Sequence, residues 1–297
     1  MTFDPNADIS GGKASKRGRT TGIAVAGGGG VLIVLFLVSQ LLGVDLTGLA
    51  GGAGGAGQQQ EVVEDSSLDT CLTGQDANER VECRMKGASA SLETYWEAEA
   101  PEIGVAYRAP NDLVMFDQAV STACGQASSA TGPFYCPPDE TIYLDVTFYD
   151  ELRTRFGAQG GPLAEMYVIA HEWGHHVQNI AGVLESTRDG QTGPSSNAVR
   201  VELQADCFAG AWAAAASSTK DDDGVAFLKP ITPAEYRSAL DAAAAVGDDH
   251  IQQSMQGQVT PHTFTHGTSE QRIRWFETGF DGGAGACNTF DVAGGSL

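Results

Sequence analysis

Residues 171–176 read His171-Glu172-Trp173-Gly174-His175-His176, and no other stretch constrains the fold as strongly. On a helix, His171 and His175 lie about 40° apart around the axis and about 6 Å apart along it, so both rings can reach one ion. Glu172 stands beside the first ring and can touch a water on that ion. A catalytic zinc takes three protein ligands and keeps one position open. The chain must therefore fold so that another element brings a third ligand to this helix face.

Two helical histidines with a glutamate after the first make the H-E-x-x-H arrangement of zinc peptidases, two ligands plus a general base. Glu202 is the best third ligand. It lies in Glu202-Leu203-Gln204-Ala205-Asp206, on a segment from Asn197 to Ala216 that reads as a helix. Asp206 shares its face and can accept the free ring N–H of His171 or His175, the usual support for a ligating histidine. The neighbouring stretch Cys207–Ala216 is apolar, and carboxylates so close to buried positions need partners.

The motif's own helix is bounded by Gly160-Gly161-Pro162 and runs from Leu163 to about Val183, with Leu163, Met166, Tyr167, Ala170, Gly174 and Val177 at helical spacing. Gly174 costs about 1 kcal/mol against Ala in a helix, which suggests close approach by the metal site or a facing backbone. Trp173 is expected in a core. His176 is one residue too far round to join the same ion and reads as a supporting or surface residue.

From Thr20 to Val44 there is no charged residue, and Val31–Leu42 is almost wholly apolar. This is long enough to span a bilayer as one helix. Lys13, Lys16, Arg17 and Arg19 precede it, and Asp45, Glu61, Glu64 and Asp65 follow. The positive-inside rule then makes residues 1–19 a basic cytoplasmic tail, 20–44 a single-pass anchor in the cell membrane, and the remainder extracytoplasmic. A cleaved leader is the rival reading. Residues 45–65 are a Gly-rich linker, and residues 66–297 make one domain of ordinary size.

All six cysteines fall in that domain, an even number suited to disulfides outside the cytoplasm. Short spacings favour Cys71–Cys83, Cys124–Cys136 and Cys207–Cys287. A formal net charge of −21 makes nucleic acid an improbable partner, and acidic runs such as Asp221-Asp222-Asp223 and Asp248-Asp249 read as solvated loop. Leu68–Arg84 and Ser89–Glu99 look helical. Asp112–Phe116 and Thr141–Leu144 look like strands, one of which can hold an extended substrate by main-chain bonding. Thr232-Pro233-Ala234-Glu235 is a capping box opening a helix through Val246, and Thr268 or Ser269 caps a last helix through Glu277.

His266 and Arg272, in Phe264-Thr265-His266-Gly267-Thr268-Ser269-Glu270-Gln271-Arg272, are further candidates. Peptide hydrolysis builds negative charge on the carbonyl oxygen, and a His or Arg opposite the metal can stabilise it. Arg272 can equally pair with Glu270 or Asp206. His250 and His262 carry no signal.

The runs GPFYCPPDETIYLD at 132–145, YVIAHEWGHHVQ at 167–178, ELQADCFAG at 202–210 and FTHGTSEQR at 264–272 resemble the neutral zinc metallopeptidase family of bacteria. Four motifs in order make the resemblance specific, and it covers about residues 66–290. It implies a membrane-anchored extracytoplasmic domain, zinc (Zn2+) on His171, His175 and Glu202, and Glu172 as base. The Glu-x-x-x-Asp part is also similar to thermolysin-like gluzincins.

The expected fold is α+β: a mostly helical zincin-like domain with a small β-sheet, preceded by a single transmembrane helix. The expected activity is hydrolysis of peptide bonds of envelope or extracellular polypeptides by Glu172-assisted attack of zinc-bound water, with His266 steadying the oxyanion. Two alternatives stay open. One is a non-proteolytic zinc-binding module for an envelope partner, and the other a zinc amide hydrolase acting on cell-wall material.

Overall fold

The structure, a computed structural model, describes residues 2–17 and 66–297. In chain order it holds β1 (Ser15–Arg17), α1 (Gly74–Glu79), α2 (Val81–Glu102), β2 (Asp112–Phe116), β3 (Ala119–Thr122), β4 (Gly125–Ser128), β5 (Phe134–Cys136) and β6 (Thr141–Asp145). There follow α3 (Phe148–Thr154), α4 (Pro162–Ile180), α5 (Val183–Ser186), α6 (Asn197–Ala215), α7 (Pro233–Ala245), α8 (Asp248–Gln256) and α9 (Ser269–Gly282). The expected α+β architecture, mostly helical with a small sheet, is what forms.

The sheet runs β1-β2-β6-β5. β2 is parallel to both β1 and β6, whereas β5 is antiparallel to β6 and forms the far edge. β2 and β6 are buried almost throughout, which is why they read as continuous apolar runs. β5 carries no strand signal of its own, because Phe134–Cys136 sits between Gly132-Pro133 and Pro137-Pro138 and reads as loop. β2 and β6, one of which was expected to hold an extended substrate, are interior strands, whereas β5 is an edge strand that packs against α4.

Capping chemistry sets the helix starts. Thr73 with Asp76, Thr232 with Glu235 and Thr268 with Gln271 each form a reciprocal box, and Ser196 caps α6 through Val199. Pro162 enters at the first turn of α4, where its missing N–H is not needed. The helix expected over Leu68–Arg84 is instead a 3₁₀ turn at Ser66–Thr70, then α1, then the start of α2, broken where Arg80 turns extended.

α4 packs against α2, α6 and α7, and α9 lies along α6. Glycines permit these approaches. A Cβ on Gly174 would stand 3.0 Å from the Ala205 Cα, so α4 and α6 meet backbone to backbone beside the motif. Between α6 and α9 the approach is closer: a Cβ on Gly279 would lie 1.8 Å from the Cys207 carbonyl oxygen. Gly279→Ala must push α9 away. We expect a loss of about 1–3 kcal/mol or more, read as a Tm several degrees lower; an unchanged Tm would mean that the two backbones are not in contact. The disulfides are Cys71–Cys83, Cys124–Cys136 and Cys207–Cys287, as the spacings favoured, and no cysteine is free.

Residues 1–19 were expected to be a separate basic tail. Residues 2–17 are instead part of the folded unit, with Phe3, Ala7 and Ile9 in its main core and β1 in its sheet. The expected membrane span, 20–44, and the linker, 45–65, lie outside the described residues. Among the described residues no helix is long and apolar enough to cross a membrane.

Candidate active site

α4 presents His171 and His175 on one face, and α6 brings Glu202 to them. His171 Nε2 lies 3.1 Å from Glu202 Oε2, and His175 Nε2 lies 3.4 Å from Glu202 Oε1. Zinc bonds of about 2.0–2.2 Å at tetrahedral angles place neighbouring ligand atoms about 3.3–3.6 Å apart. The three side chains thus stand at nearly the separations that one shared ion requires, and their ligating atoms lie within 4.8 Å of one another. Two imidazoles and a carboxylate are also a donor set that zinc prefers.

The other nitrogen of each ring is held. His171 Nδ1 is 2.8 Å from Asp206 Oδ1. His175 Nδ1 is 2.8 Å from Gln178 Oε1, and Gln178 is fixed in turn by donating to the Val201 carbonyl at 2.7 Å and to Gln204 at 3.0 Å. An Nδ1–H given to these acceptors leaves each Nε2 lone pair facing Glu202, the tautomer a metal needs.

Asp206 is fully buried and heavily bonded. Arg272 donates to it through Nε at 2.7 Å and Nη2 at 2.9 Å, and the Tyr167 hydroxyl donates to it from one turn before His171. Burial pushes the Asp206 carboxyl up, but Arg272 and His171 outweigh it and hold the group below its ordinary range. His171 is likewise pulled down by burial, yet Asp206 and Glu202 raise it to about 10. The cage thus carries excess negative charge around the ring nitrogens, which suits a cation. We expect Asp206→Asn to weaken zinc binding roughly 10–100-fold with the domain still folded, measured by competition with a chromogenic chelator. Wild-type affinity would show that Asp206 does not act through His171.

Glu172 is buried on the same face. Burial raises its pKa above the ordinary carboxylate value, and the nearby His175 and His171 rings only partly offset this. The backbone N–H of Tyr135 on β5 is directed at its carboxylate. Glu172 also borders a cavity of about 90 Å³.

His266, on the loop before α9, also lines that cavity. Asp248 fixes it: one carboxylate oxygen accepts the backbone N–H of Thr265, His266 and Gly267 at 2.7, 2.7 and 3.1 Å, and the other lies 3.3 Å from His266 Nδ1. Burial lowers the His266 pKa, but Glu202 and Asp248 outweigh it and the net shift is upward. Its Nε2 is buried and, among the described residues, has no hydrogen-bond partner. Asp248 corrects the reading of Asp248-Asp249 as solvated loop: it is 3% exposed and positions the loop.

The family model described as "Putative neutral zinc metallopeptidase" matches residues 5–290. The chain belongs to this family. Among its relatives, Uncharacterized protein Rv2575 of Mycobacterium tuberculosis is 44% identical over 263 residues, 86% of this chain and 86% of that protein. Uncharacterized protein YpfJ of Escherichia coli K12 is 40% identical over 269 residues, 89% of this chain and 86% of that protein. No solved structure matches the chain. Membership in a zinc peptidase family and the His171–His175–Glu202 cluster agree on the metal that the cluster could hold.

Every residue singled out in the sequence for this site is brought to it, and His176, read as too far round to join the ion, stays off it. That ring turns away and is fully buried between the Tyr135 hydroxyl, at 3.0 Å, and the Arg108 carbonyl, at 2.7 Å. It ties α4 to β5 and is neither a ligand nor a surface residue. Trp173 is in the core, as expected, and donates to the Tyr107 hydroxyl. Sequence reasoning missed Tyr167, Gln178 and Asp248. The first two stand four residues before His171 and three after His175, a helical spacing that could have shown them.

Proposed function

We propose that this family member is a zinc endopeptidase that cleaves polypeptides outside the cytoplasm. The observation that carries this reading is one arrangement. A buried carboxylate of raised pKa, Glu172, adjoins the converging His171, His175 and Glu202, while His266, whose buried Nε2 has no partner among the described residues, lines the same cavity.

His171 and His175 through Nε2, with Glu202, would hold the zinc. Bound there, the metal supplies Lewis acidity, lowering the pKa of a water toward neutrality and polarising a carbonyl oxygen. Glu172 takes a proton from the water as its oxygen attacks the peptide carbonyl carbon. It then passes the proton to the leaving amine as the C–N bond breaks, and the product is a free carboxyl and a free amine. A carboxylate of raised pKa suits both steps, because it is closer in basicity to the groups it serves. His266, protonated against Asp248, donates Nε2–H to the carbonyl oxygen as it gains negative charge.

The cavity beside Glu172 is walled by Phe148, Leu152, Phe156, Val168, Val246 and Ile251. A bulky apolar side chain next to the scissile bond fits it, which favours a peptide over a cell-wall amide. A base with no use in binding alone also disfavours a pure interaction module. Three disulfides support a site of action outside the cytoplasm. Cleavage profiling of the zinc-loaded protein on a mixed peptide library tests this. We expect metal-dependent cuts beside Leu, Phe or Met; no cuts in peptides, with release of amines from cell-wall fragments, would refute it.

A further inference from the structure

Residues 2–17 are fastened to the domain at many points. The Phe3 backbone N–H donates to Asn78 Oδ1 at 2.9 Å, and Asn78 Nδ2 donates back to the Phe3 carbonyl at 3.0 Å. The Phe3 ring occupies the notch left by Gly87 on α2, where a Cβ would lie 2.7 Å from it. Asp4 N–H bonds to the Phe227 carbonyl, Lys229 N–H to the Thr2 carbonyl, and Gly74 N–H to the Ala7 carbonyl. A Cβ on Gly74 would lie 1.9 Å from the Asp4 carbonyl oxygen, so that glycine accommodates the segment too. Finally, Ser15, Lys16 and Arg17 pair with Val114, Met115 and Phe116.

The basic residues of this segment are committed to the same unit. Lys13 pairs with Glu93 at 3.3 Å and Lys16 with Glu82 at 3.5 Å, both on α2. The Arg17 guanidinium lies over the Tyr143 ring, 5.8 Å from its centre. Their positive charge therefore has a use within the fold, and it no longer reads simply as a cytoplasmic flank.

Residues 2–17 thus belong to the same unit as Leu68, which is in the core and whose carbonyl accepts from Lys86. One folded unit cannot lie on both sides of a bilayer. We infer that residues 2–17 and the catalytic domain lie on the same side of the membrane, because both belong to one folded unit. This replaces the topology with a cytoplasmic tail and an external domain. It rests on the packing of residues 2–17 and not on the proposed activity.

The test uses the full chain in cells, with one epitope ahead of residue 2 and another after Leu297, probed by impermeant antibody or added protease before and after lysis. Both epitopes should report the same side. Both accessible in intact cells supports the inference together with external action; both protected until lysis supports it while refuting external action. One accessible and one protected overturns it, as does a membrane-bound chain that has lost the first epitope. A second measurement uses Ile9→Asp, which places a charge in the core. Membrane-bound protein carrying it should be digested faster than wild type once permeabilised, and an unchanged rate would show that the segment is not seated on the domain in the cell.

Discussion

Glu172→Gln leaves the zinc and the fold in place and lowers peptide hydrolysis by roughly 10²–10⁴-fold. The amide is nearly isosteric with the carboxylate and can still meet the Tyr135 N–H through its oxygen, but it cannot take a proton from water. Glu172 is not among the residues whose ligating atoms converge, so its loss should not cost metal. Removing a carboxylate whose charge is disfavoured by burial should raise the Tm. Turnover near the wild-type rate would remove Glu172 as the base, and loss of zinc in the variant would move it into the ligand set.

Arg272→Leu should be the most damaging single change to stability. Its guanidinium and the Asp206 carboxylate are both buried and make a two-point contact, with Arg272 Nη1 also donating to the Val246 carbonyl at 3.2 Å. Taking away one partner leaves Asp206 charged and poorly compensated, at a cost of about 3–5 kcal/mol. It also loosens α9 from α6 and the end of α7, and frees the group that orients His171. Chemical denaturation should show a midpoint far below wild type, and bound zinc should recover only part of it. A midpoint close to wild type would mean that Asp206 is satisfied by Tyr167 and His171 alone.

The site was legible because its chemistry is tied to helical periodicity. His171, Glu172 and His175 declare themselves by spacing on one helix, and Glu202 with Asp206 repeats that spacing on another. Once both segments read as helices, their shared faces follow. Asp248 could not be read in this way. It works by folding back on the 265–267 backbone from a different element, and in sequence it stands in an acidic pair indistinguishable from a solvated one. β5 was hidden for a related reason: three residues between turn signals have too few side chains to show alternation. The tail misled more deeply. Phe3 and Ile9 are isolated apolar residues in a polar stretch, and only their Gly87 notch and the α2 surface show that they are core.

X-ray diffraction at the zinc edge, on crystals of the protein grown with zinc, measures the assignment of the metal most directly. One anomalous peak per chain should lie between α4 and α6, bonded at about 2.0–2.2 Å to His171 Nε2, His175 Nε2 and a Glu202 oxygen, with Glu172 beside the open position. A peak elsewhere, or an ion at this place that leaves Glu202 unbound, would contradict it.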